Sequence, residues 1–326
     1  MKEIMQLIPE DFSGVIHVAN NNAVIFNQAY GYADIANQRK NNLETRFGSA
    51  SAGKVFVATA ILMLITDGRL NFTDTIGERL PIDWQQINPK ITVEQLLTHT
   101  SGIPDYFDED ELDDYAELFI DFPNYRLRKN ADLVPLFIEK PMKSESGTIF
   151  NYSNSGYVVL AAIIEQVTGM AFDQYLQQTI FEPYDMTQTG YYQLDRLPAN
   201  CAQGYIWDEQ HDEYYTNIYS IDAKGSGAGG AFTTGGDAHK FWQGLLNDQR
   251  IDDAIRSKLL QPLVDECYSY GLWFLEPTRP YFIGFDPGTR FISSYNLMTK
   301  HNITIISNKE FPIGTLHKAI KAYLDK

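Results

Sequence analysis

Strand-like hydrophobic patterns lie near both ends of the chain, and helical patterns lie between them. Near the beginning, β-rich stretches at residues 15–18 and 24–26 flank an asparagine run at 20–22, which predicts a β-hairpin. Four stretches in the last third resemble successive strands: residues 268–275, 281–285, 291–297 and 303–307. This arrangement predicts an α+β fold (an α/β sandwich), in which a mostly antiparallel sheet built from both termini is flanked by helices and carries an inserted, mainly helical region.

Two strongly hydrophobic helices are predicted within this arrangement. Residues 54–67 place apolar side chains on nearly all sides of a helix, which is typical of a buried one, and Gly68 follows as a terminating glycine. Residues 157–167 form a second apolar helix that ends at Gly169. One domain is predicted, with these boundaries: residues 1–326 overall, 1–74 plus 201–326 for the sheet part, and 75–200 for the helical part.

Two further segments are candidates for functional elements. Residues 108–121 are acidic with apolar positions at helical spacing, which predicts a solvated amphipathic helix or a cover over a cleft; whether they form a lid stays open. Residues 225–230 are rich in glycine but lack the lysine and the strand-to-helix context of a phosphate-binding loop. They are predicted to form a tight loop before a helix at about 237–246.

Composition is that of an ordinary globular protein, with 44% hydrophobic and 21% charged residues in a chain of 326. The 42 acidic and 26 basic residues give a formal charge of −16, and such a surface repels phosphate backbones. Nucleic acid is therefore disfavoured as a partner, and a small-molecule substrate is expected. The two cysteines, Cys201 and Cys267, are predicted to be reduced thiols.

The first ten residues have no apolar core and no small-residue cleavage site of a signal peptide, and no stretch approaches the ~20 apolar residues of a membrane span. The sequence thus predicts a cytoplasmic protein without a membrane span. Removal of a signal peptide before residue 1 would leave the same sequence, and the protein would then be secreted. Oligomeric state is unknown at this point.

Ser51-x-x-Lys54 is the first chemical candidate. Average residue usage would give about one such pattern in a chain of this length, so its context decides. On a helix, positions three apart share a face, and a helix N-terminus stabilises negative charge near Ser51. A buried lysine gives up its charge readily, as a base for serine must. The alternative is a capped buried helix whose lysine extends to the surface.

Tyr152-Ser153-Asn154 is the second candidate, because tyrosine can relay a proton and asparagine can donate to a substrate carbonyl or bind a lysine. A second Tyr-x-Asn begins at Tyr215, in an aromatic, polar stretch typical of strand or loop. Tyr152 is the better candidate, since it directly precedes a predicted buried helix.

Four segments carry a resemblance to a known family: residues 45–54, 96–106 (beginning LLTHTSG), 152–157 and 228–234. They resemble the serine β-lactamase and penicillin-binding protein superfamily, and most closely its class C-like hydrolases and esterases. The likeness runs from about residue 12 to about 310. It implies a β-lactamase/transpeptidase-like fold and an enzyme, a serine hydrolase.

The resemblance implies roles residue by residue. Ser51 resembles the acylated nucleophile, and its backbone N–H would form half of the oxyanion hole. Lys54 resembles its base partner, and Tyr152 the proton shuttle to and from the leaving group. Asn154 resembles the amide that binds substrate and lysine, whereas His99, within LLTHTSG, is interpreted as structural. No metal or organic cofactor is implied, and none of the six histidines is paired at metal-ligand spacing.

The third motif of the family, Lys-Thr-Gly or His-x-Gly, is where this sequence departs. Phe282-Ile283-Gly284 is the best match, because Pro287-Gly288 follows as in relatives. Gly284 fits, and the N–H of Phe285 would complete the oxyanion hole. Phe282 cannot supply the positive charge that grips a substrate carboxylate, nor can Ile283 supply the hydroxyl.

Loss of such a charge-assisted contact costs about 1.5 to 3 kcal/mol, or roughly ten- to a hundredfold in binding. Penicillins and D-Ala-D-Ala peptides carry this carboxylate, so the sequence favours an esterase-like hydrolase with an uncharged acyl substrate. Arg290 offers a replacement charge, or is an exposed arginine at a strand end. Two alternatives stay open: a penicillin-recognising D,D-peptidase or weak β-lactamase, and a non-catalytic binding protein with a degraded third motif.

Overall fold

Strands from both ends of the chain form one six-stranded antiparallel sheet. The computed structural model describes residues 2–21, 23–108, 114–265 and 267–325. The strands are β1 (Gly14–Asn20), β2 (Ala23–Tyr30), β3 (Tyr32–Asp34), β4 (Arg39–Lys40), β5 (Phe47–Gly48), β6 (Tyr205–Asp208), β7 (Glu213–Thr216), β8 (Phe232–Thr233), β9 (Trp273–Phe274), β10 (Pro280–Asp286), β11 (Thr289–Tyr295) and β12 (His301–Ser307). The sheet order is β2-β1-β12-β11-β10-β9, and β3–β4, β5–β8 and β6–β7 form short separate ladders. The predicted α+β fold is confirmed.

Helices cover both faces of the sheet. They are α1 (Lys2–Met5), α2 (Lys54–Thr66), α3 (Ile76–Arg79), α4 (Val93–Leu97), α5 (Leu118–Asp121), α6 (Asn130–Leu133), α7 (Asn154–Thr168), α8 (Phe172–Leu176), α9 (Gly235–Asn247), α10 (Asp253–Leu259) and α11 (Ile313–Leu324). Six 3₁₀ turns span Ala50–Gly53, Tyr115–Glu117, Asn124–Arg126, Val134–Leu136, Leu194–Arg196 and Asn217–Tyr219, and a π-helical segment spans Gln177–Phe181. One core cluster joins the sheet to α2, α7 and α9, and a second joins its other face to α1 and α11.

Helix α2 lies at the centre of the larger core, as its all-round hydrophobic pattern predicts. Every residue from Lys54 to Leu64 is buried. Helix α7 ends where predicted but begins at Asn154, three residues before the predicted start, and Gly169 follows it in the left-handed conformation with φ 71°. Both cysteines are free thiols, as expected.

The strand predicted over residues 268–275 was wrong in its extent, because only Trp273–Phe274 is extended. Gly271 has φ +80°, and a Cβ there would lie 2.9 Å from the Cβ of Ala58. The chain therefore turns against α2 at a point where only glycine fits, and a hydrophobic count cannot register that constraint.

Part of the acidic segment at 108–121 lies outside the described residues, namely 109–113. Of the rest, Tyr115–Glu117 forms a 3₁₀ turn and α5 follows it, so the helical part is short. The proposed sheet and helical sub-regions stay a prediction. Within the described residues, no single helix is long and apolar enough to cross a membrane; one bent pair, Asn154–Thr168 with Phe172–Phe181, passes by length and composition only.

Candidate active site

Ser51 lies in the 3₁₀ turn Ala50–Gly53, directly before α2. The preceding Ala50 has φ +49°, a strained conformation for a residue with a side chain. The glycine-rich loop at residues 225–230 packs against this turn, and the N–H of Gly230 donates to the carbonyl of Ala50 at 3.0 Å. A Cβ on Gly229 would lie 2.4 Å from the same oxygen. The loop therefore positions the serine by close backbone approach, and it leads into α9 as predicted.

Lys54 joins the first two sequence motifs. Its Nζ donates to Ser51 Oγ at 3.0 Å, to Asn154 Oδ1 at 2.7 Å and to the carbonyl of Ala228 at 2.5 Å. The side chain is buried, so the alternative of a lysine that extends to the surface is wrong. The predicted contact between Ser51 and Lys54 is present.

These three contacts suit proton exchange between Lys54 and Ser51. The amide oxygen of Asn154 and the carbonyl of Ala228 can only accept hydrogen bonds, so together they use two N–H groups of Lys54 Nζ. The third position on Nζ faces the Ser51 hydroxyl, which can accept from a charged lysine or donate to a neutral one. The same arrangement thus accommodates both protonation states of the pair.

Tyr152 lies beside Lys54, whose Nζ is 4.9 Å from the centroid of the tyrosine ring. Behind it, the buried ring of His99 is 4.5 Å from the Tyr152 ring, and His99 Nδ1 accepts the N–H of Ser153 at 3.1 Å. Burial, with a smaller contribution from the charge of Lys54, lowers the pKa of His99 well below its usual value. His99 is therefore neutral and packs against the ring of Tyr152, in keeping with its interpretation as a structural residue.

Asp105 fixes the beginning of α7 and was not singled out by sequence reasoning. Its carboxylate accepts the N–H of Asn154 at 2.6 Å, and the N–H and hydroxyl of Ser155 at 3.0 Å each. Burial raises the pKa of Asp105 to about 6, and the hydrogen bonds from its neighbours oppose that rise. An acidic side chain at this helix N-terminus also has a favourable dipole interaction. Asp105 thus orients the amide that holds Lys54.

Gly284 brings β10 against the turn that carries Ser51. A Cβ at Gly284 would lie 2.2 Å from the carbonyl oxygen of Ser49 and 2.7 Å from the nitrogen of Ser51. Phe285 follows it with its side chain half exposed in the cavity. The pairing of the backbone N–H groups of Ser51 and Phe285 in an oxyanion hole stays a prediction.

The other two residues of the third motif do not present polar groups to a substrate. Phe282 is buried, with its ring 5.3 Å from Trp242 and 5.4 Å from Phe291. Ile283 packs against the second core cluster on the opposite face of the sheet. This strand therefore supplies backbone and hydrophobic packing at the positions where the resemblance implies a cation and a hydroxyl.

A cavity of about 600 Å³ opens above Ser51 and Asn154. Arg290 lines it, but the guanidinium forms an ion pair with Glu310 at 3.1 Å and donates to the carbonyls of Asp286 and Thr289. It is partly buried and not the exposed strand-end arginine considered from sequence. Its charge is balanced within the protein. Among the described residues, no group of three or more His, Cys, Asp or Glu side chains is placed to hold a metal ion.

Gly284→Ala is expected to disturb both the fold and the site. The added Cβ meets backbone atoms, which cannot move aside cheaply, so we expect a loss of about 1 to 3 kcal/mol in the free energy of unfolding. Displacement of the Ser51 turn should lower kcat/KM for an activated ester by about ten- to a hundredfold. Urea denaturation and ester hydrolysis measure the two effects.

Gly314→Ala is the matched control, because a Cβ there meets no atom within 4 Å and the residue lies in α11. It should keep full activity and stability. If the two variants have the same free energy of unfolding and the same kcat/KM, the close contact assigned to Gly284 is contradicted.

Comparisons with known proteins agree with this geometry. The β-lactamase family model matches residues 5–323 of the chain. Penicillin-binding protein 4* of Bacillus subtilis (strain 168) is 28% identical over 284 residues, which cover 81% of this chain and 60% of that protein. The chain therefore spans less than two thirds of that relative's length.

Two solved structures extend the comparison to the fold. The penicillin-binding protein from Bacillus halodurans has a TM-score of 0.92 and 33% identity, and 99% of each chain is covered. The octameric penicillin-binding protein homologue from Pyrococcus abyssi has a TM-score of 0.81 and 25% identity, with 100% of this chain and 76% of that chain covered. The resemblance and the fold inferred from sequence are confirmed.

Proposed function

This chain belongs to the β-lactamase family, and on that premise we propose that it is a serine hydrolase. It forms an acyl-enzyme on Ser51 and cleaves esters or activated amides that lack the carboxylate of a penicillin. The observation that carries the proposal is the position of Lys54 Nζ, 3.0 Å from Ser51 Oγ and bound to two fixed acceptors.

The proposed reaction follows from these contacts. Neutral Lys54 takes the proton of Ser51 as Oγ attacks the carbonyl carbon, and the N–H groups of Ser51 and Phe285 stabilise the negative charge that develops on the carbonyl oxygen. As the bond to the leaving group breaks, the proton that Lys54 took from Ser51 passes through Tyr152 to that group. Water then attacks the acyl-enzyme and gives up a proton through Tyr152 to Lys54, and this proton passes to Ser51 Oγ as the carboxylic acid leaves.

The charge preference follows from the third motif. Phe282 is buried among aromatic rings, and Arg290 is engaged by Glu310, so neither supplies a free cation to a substrate carboxylate. A carboxylate entering the cavity would lose hydration without a charge-assisted partner. This is why we favour an esterase-like hydrolase over a D,D-peptidase or a β-lactamase.

A matched pair of substrates tests the proposal. Phenyl acetate and 3-carboxyphenyl acetate differ in one carboxylate, and we expect kcat/KM to be at least about tenfold higher for phenyl acetate. Intact-mass spectrometry after incubation with an activated ester, and separately with a penicillin, should show an acetyl adduct and no penicilloyl adduct. Where deacylation is too fast for an adduct to accumulate, the turnover assay decides.

Efficient acylation by penicillin would replace this proposal by the peptidase function. If neither reagent acylates the protein and no ester turns over, the binding-protein alternative would stand instead.

A further inference from the structure

The candidate active-site cavity is lined mainly by negative charge. Its described lining contains four acidic side chains and one arginine: Asp114, Asp222, Asp286, Glu310 and Arg290. Arg290 and Glu310 form an ion pair, so their charges cancel and Asp114, Asp222 and Asp286 remain. The other acids favour a cation over a carboxylate in their part of the cavity.

Asp222 has the surroundings of a ligand-binding carboxylate. Its Oδ1 accepts a hydrogen bond from the Tyr115 hydroxyl at 2.8 Å, and no described lysine or arginine forms a salt bridge with it. Burial raises the pKa of Asp222 to about 6, opposed by the bond from Tyr115 and the charge of Lys54. The group is thus mainly ionised at pH 7.5, and Oδ2 keeps its capacity to accept a hydrogen bond.

Aromatic side chains line the same part of the cavity. Tyr106, Phe107 and Tyr115 are all in its wall, and the hydroxyls of the two tyrosines are 3.4 Å apart. The rings of Phe107 and Tyr115 meet edge to face with centroids 4.8 Å apart. Aromatic faces attract ammonium groups, and the attraction strengthens where water is excluded. A carboxylate among aromatic rings therefore suits an organic ammonium.

These residues lie at the Asn154 end of the cavity. The side-chain amide of Asn154 donates to the carbonyl of Phe107 at 3.4 Å, and the N–H of Tyr106 donates to the hydroxyl of Ser155 at 2.9 Å. Because Asn154 resembles the amide that binds substrate and lysine, a substrate held by this amide would lie beside the aromatic side chains that carry Asp222.

We propose that Asp222 binds a protonated primary amine on the acyl group, so that the enzyme selects amino-acyl esters or amides. This inference rests on the proposed acyl transfer at Ser51. It replaces the uncharged acyl group expected from sequence by a positively charged one. Asp222 is then a specificity-determining residue.

Isosteric esters test the inference on the full chain. Alanine methyl ester, in both configurations, and methyl isobutyrate differ in whether an ammonium or a methyl group is attached to the α-carbon. We expect the wild type to favour one alanine ester by roughly ten- to a hundredfold in kcat/KM, measured from methanol release by proton NMR at pH 7.5. In Asp222→Asn, which keeps an acceptor for Tyr115, this ratio should fall to about one.

Asp253→Asn is the matched control, because it removes the same charge from a side chain that is 93% exposed, and it should keep the wild-type ratio. Competition against p-nitrophenyl acetate gives a second readout that needs no variant: alaninamide should inhibit the wild type more strongly than isobutyramide.

The failures of the two proposals are distinguishable. If Ser51-dependent hydrolysis of p-nitrophenyl acetate occurs but alanine esters have no advantage, the role of Asp222 is overturned and the acyl transfer stands. If Asp222→Asn keeps the wild-type ratio of kcat/KM for the alanine ester to that for methyl isobutyrate, the role of Asp222 is also overturned. If no ester shows Ser51-dependent hydrolysis, the proposed function itself fails.

Discussion

Replacing Ser51 with alanine is expected to lower the hydrolysis of p-nitrophenyl acetate by about 10⁴-fold or more and to abolish any acyl adduct. The change removes Oγ alone, and Lys54 keeps its acceptors on Asn154 and Ala228. The fold should therefore persist, and circular dichroism should be unchanged. Steady-state kinetics and intact-mass spectrometry measure the loss.

Ser49→Ala is the control within the same segment. The Ser49 hydroxyl is buried and has no hydrogen-bond partner among the described residues, while the backbone N–H donates to Ala231 at 2.8 Å. Removal of that hydroxyl should leave turnover intact. Retention of wild-type rates in Ser51→Ala would exclude Ser51 as the nucleophile.

Lys54→Met should produce the second-largest loss, about 10²- to 10⁴-fold in kcat, because methionine fills the space without a proton acceptor for Ser51. The ester should still bind in the cavity, so KM should change less than kcat. Stopped-flow measurement of the acylation phase would locate the loss in the first chemical step.

Two comparisons sharpen this experiment. Lys240→Met removes a lysine that pairs with Asp185 near the surface, and it should have no effect on kcat. Lys54→Cys, made in a chain that also carries Cys201→Ala and Cys267→Ala because both are free thiols, can be unfolded, alkylated with 2-bromoethylamine and refolded. It then regains an amine at nearly the same reach and should recover part of the rate of that cysteine-free chain. Unchanged acylation in Lys54→Met would show that another group takes the serine proton.

Much of this architecture could be predicted, because the decisive patterns are local. An apolar run of 13 residues is too long for a typical strand and favours a buried helix, and α2 follows it. The three-residue spacing of Ser51 and Lys54 led to their contact by helix geometry alone. Asn154 required the family resemblance, since the residue is 100 positions from Lys54 along the chain.

The remaining features depend on close approach in three dimensions. Asp222 and Tyr115 have no spacing that marks them as a pair, and their hydrogen bond exists because separate loops meet over the cavity. The ion pair of Arg290 with Glu310 likewise joins β11 to the segment after β12. Residues paired in this way show no regular spacing in the sequence. The charges that line the cavity could therefore be identified only from the folded structure.

Because strands from both ends of the chain pair in one sheet, the candidate site cannot be complete until late in synthesis. Strand β1 pairs with β12 from Gly14↔Ser307 to Asn20↔His301, and Gly284 on β10 must close on the Ser51 turn. Pairing between segments so distant in sequence comes late and slowly in folding. A nascent chain that has exposed Ser51 and Lys54 but not β10 to β12 lacks one wall of the cavity. The candidate site therefore stays incomplete during synthesis until β10 to β12 have emerged and paired.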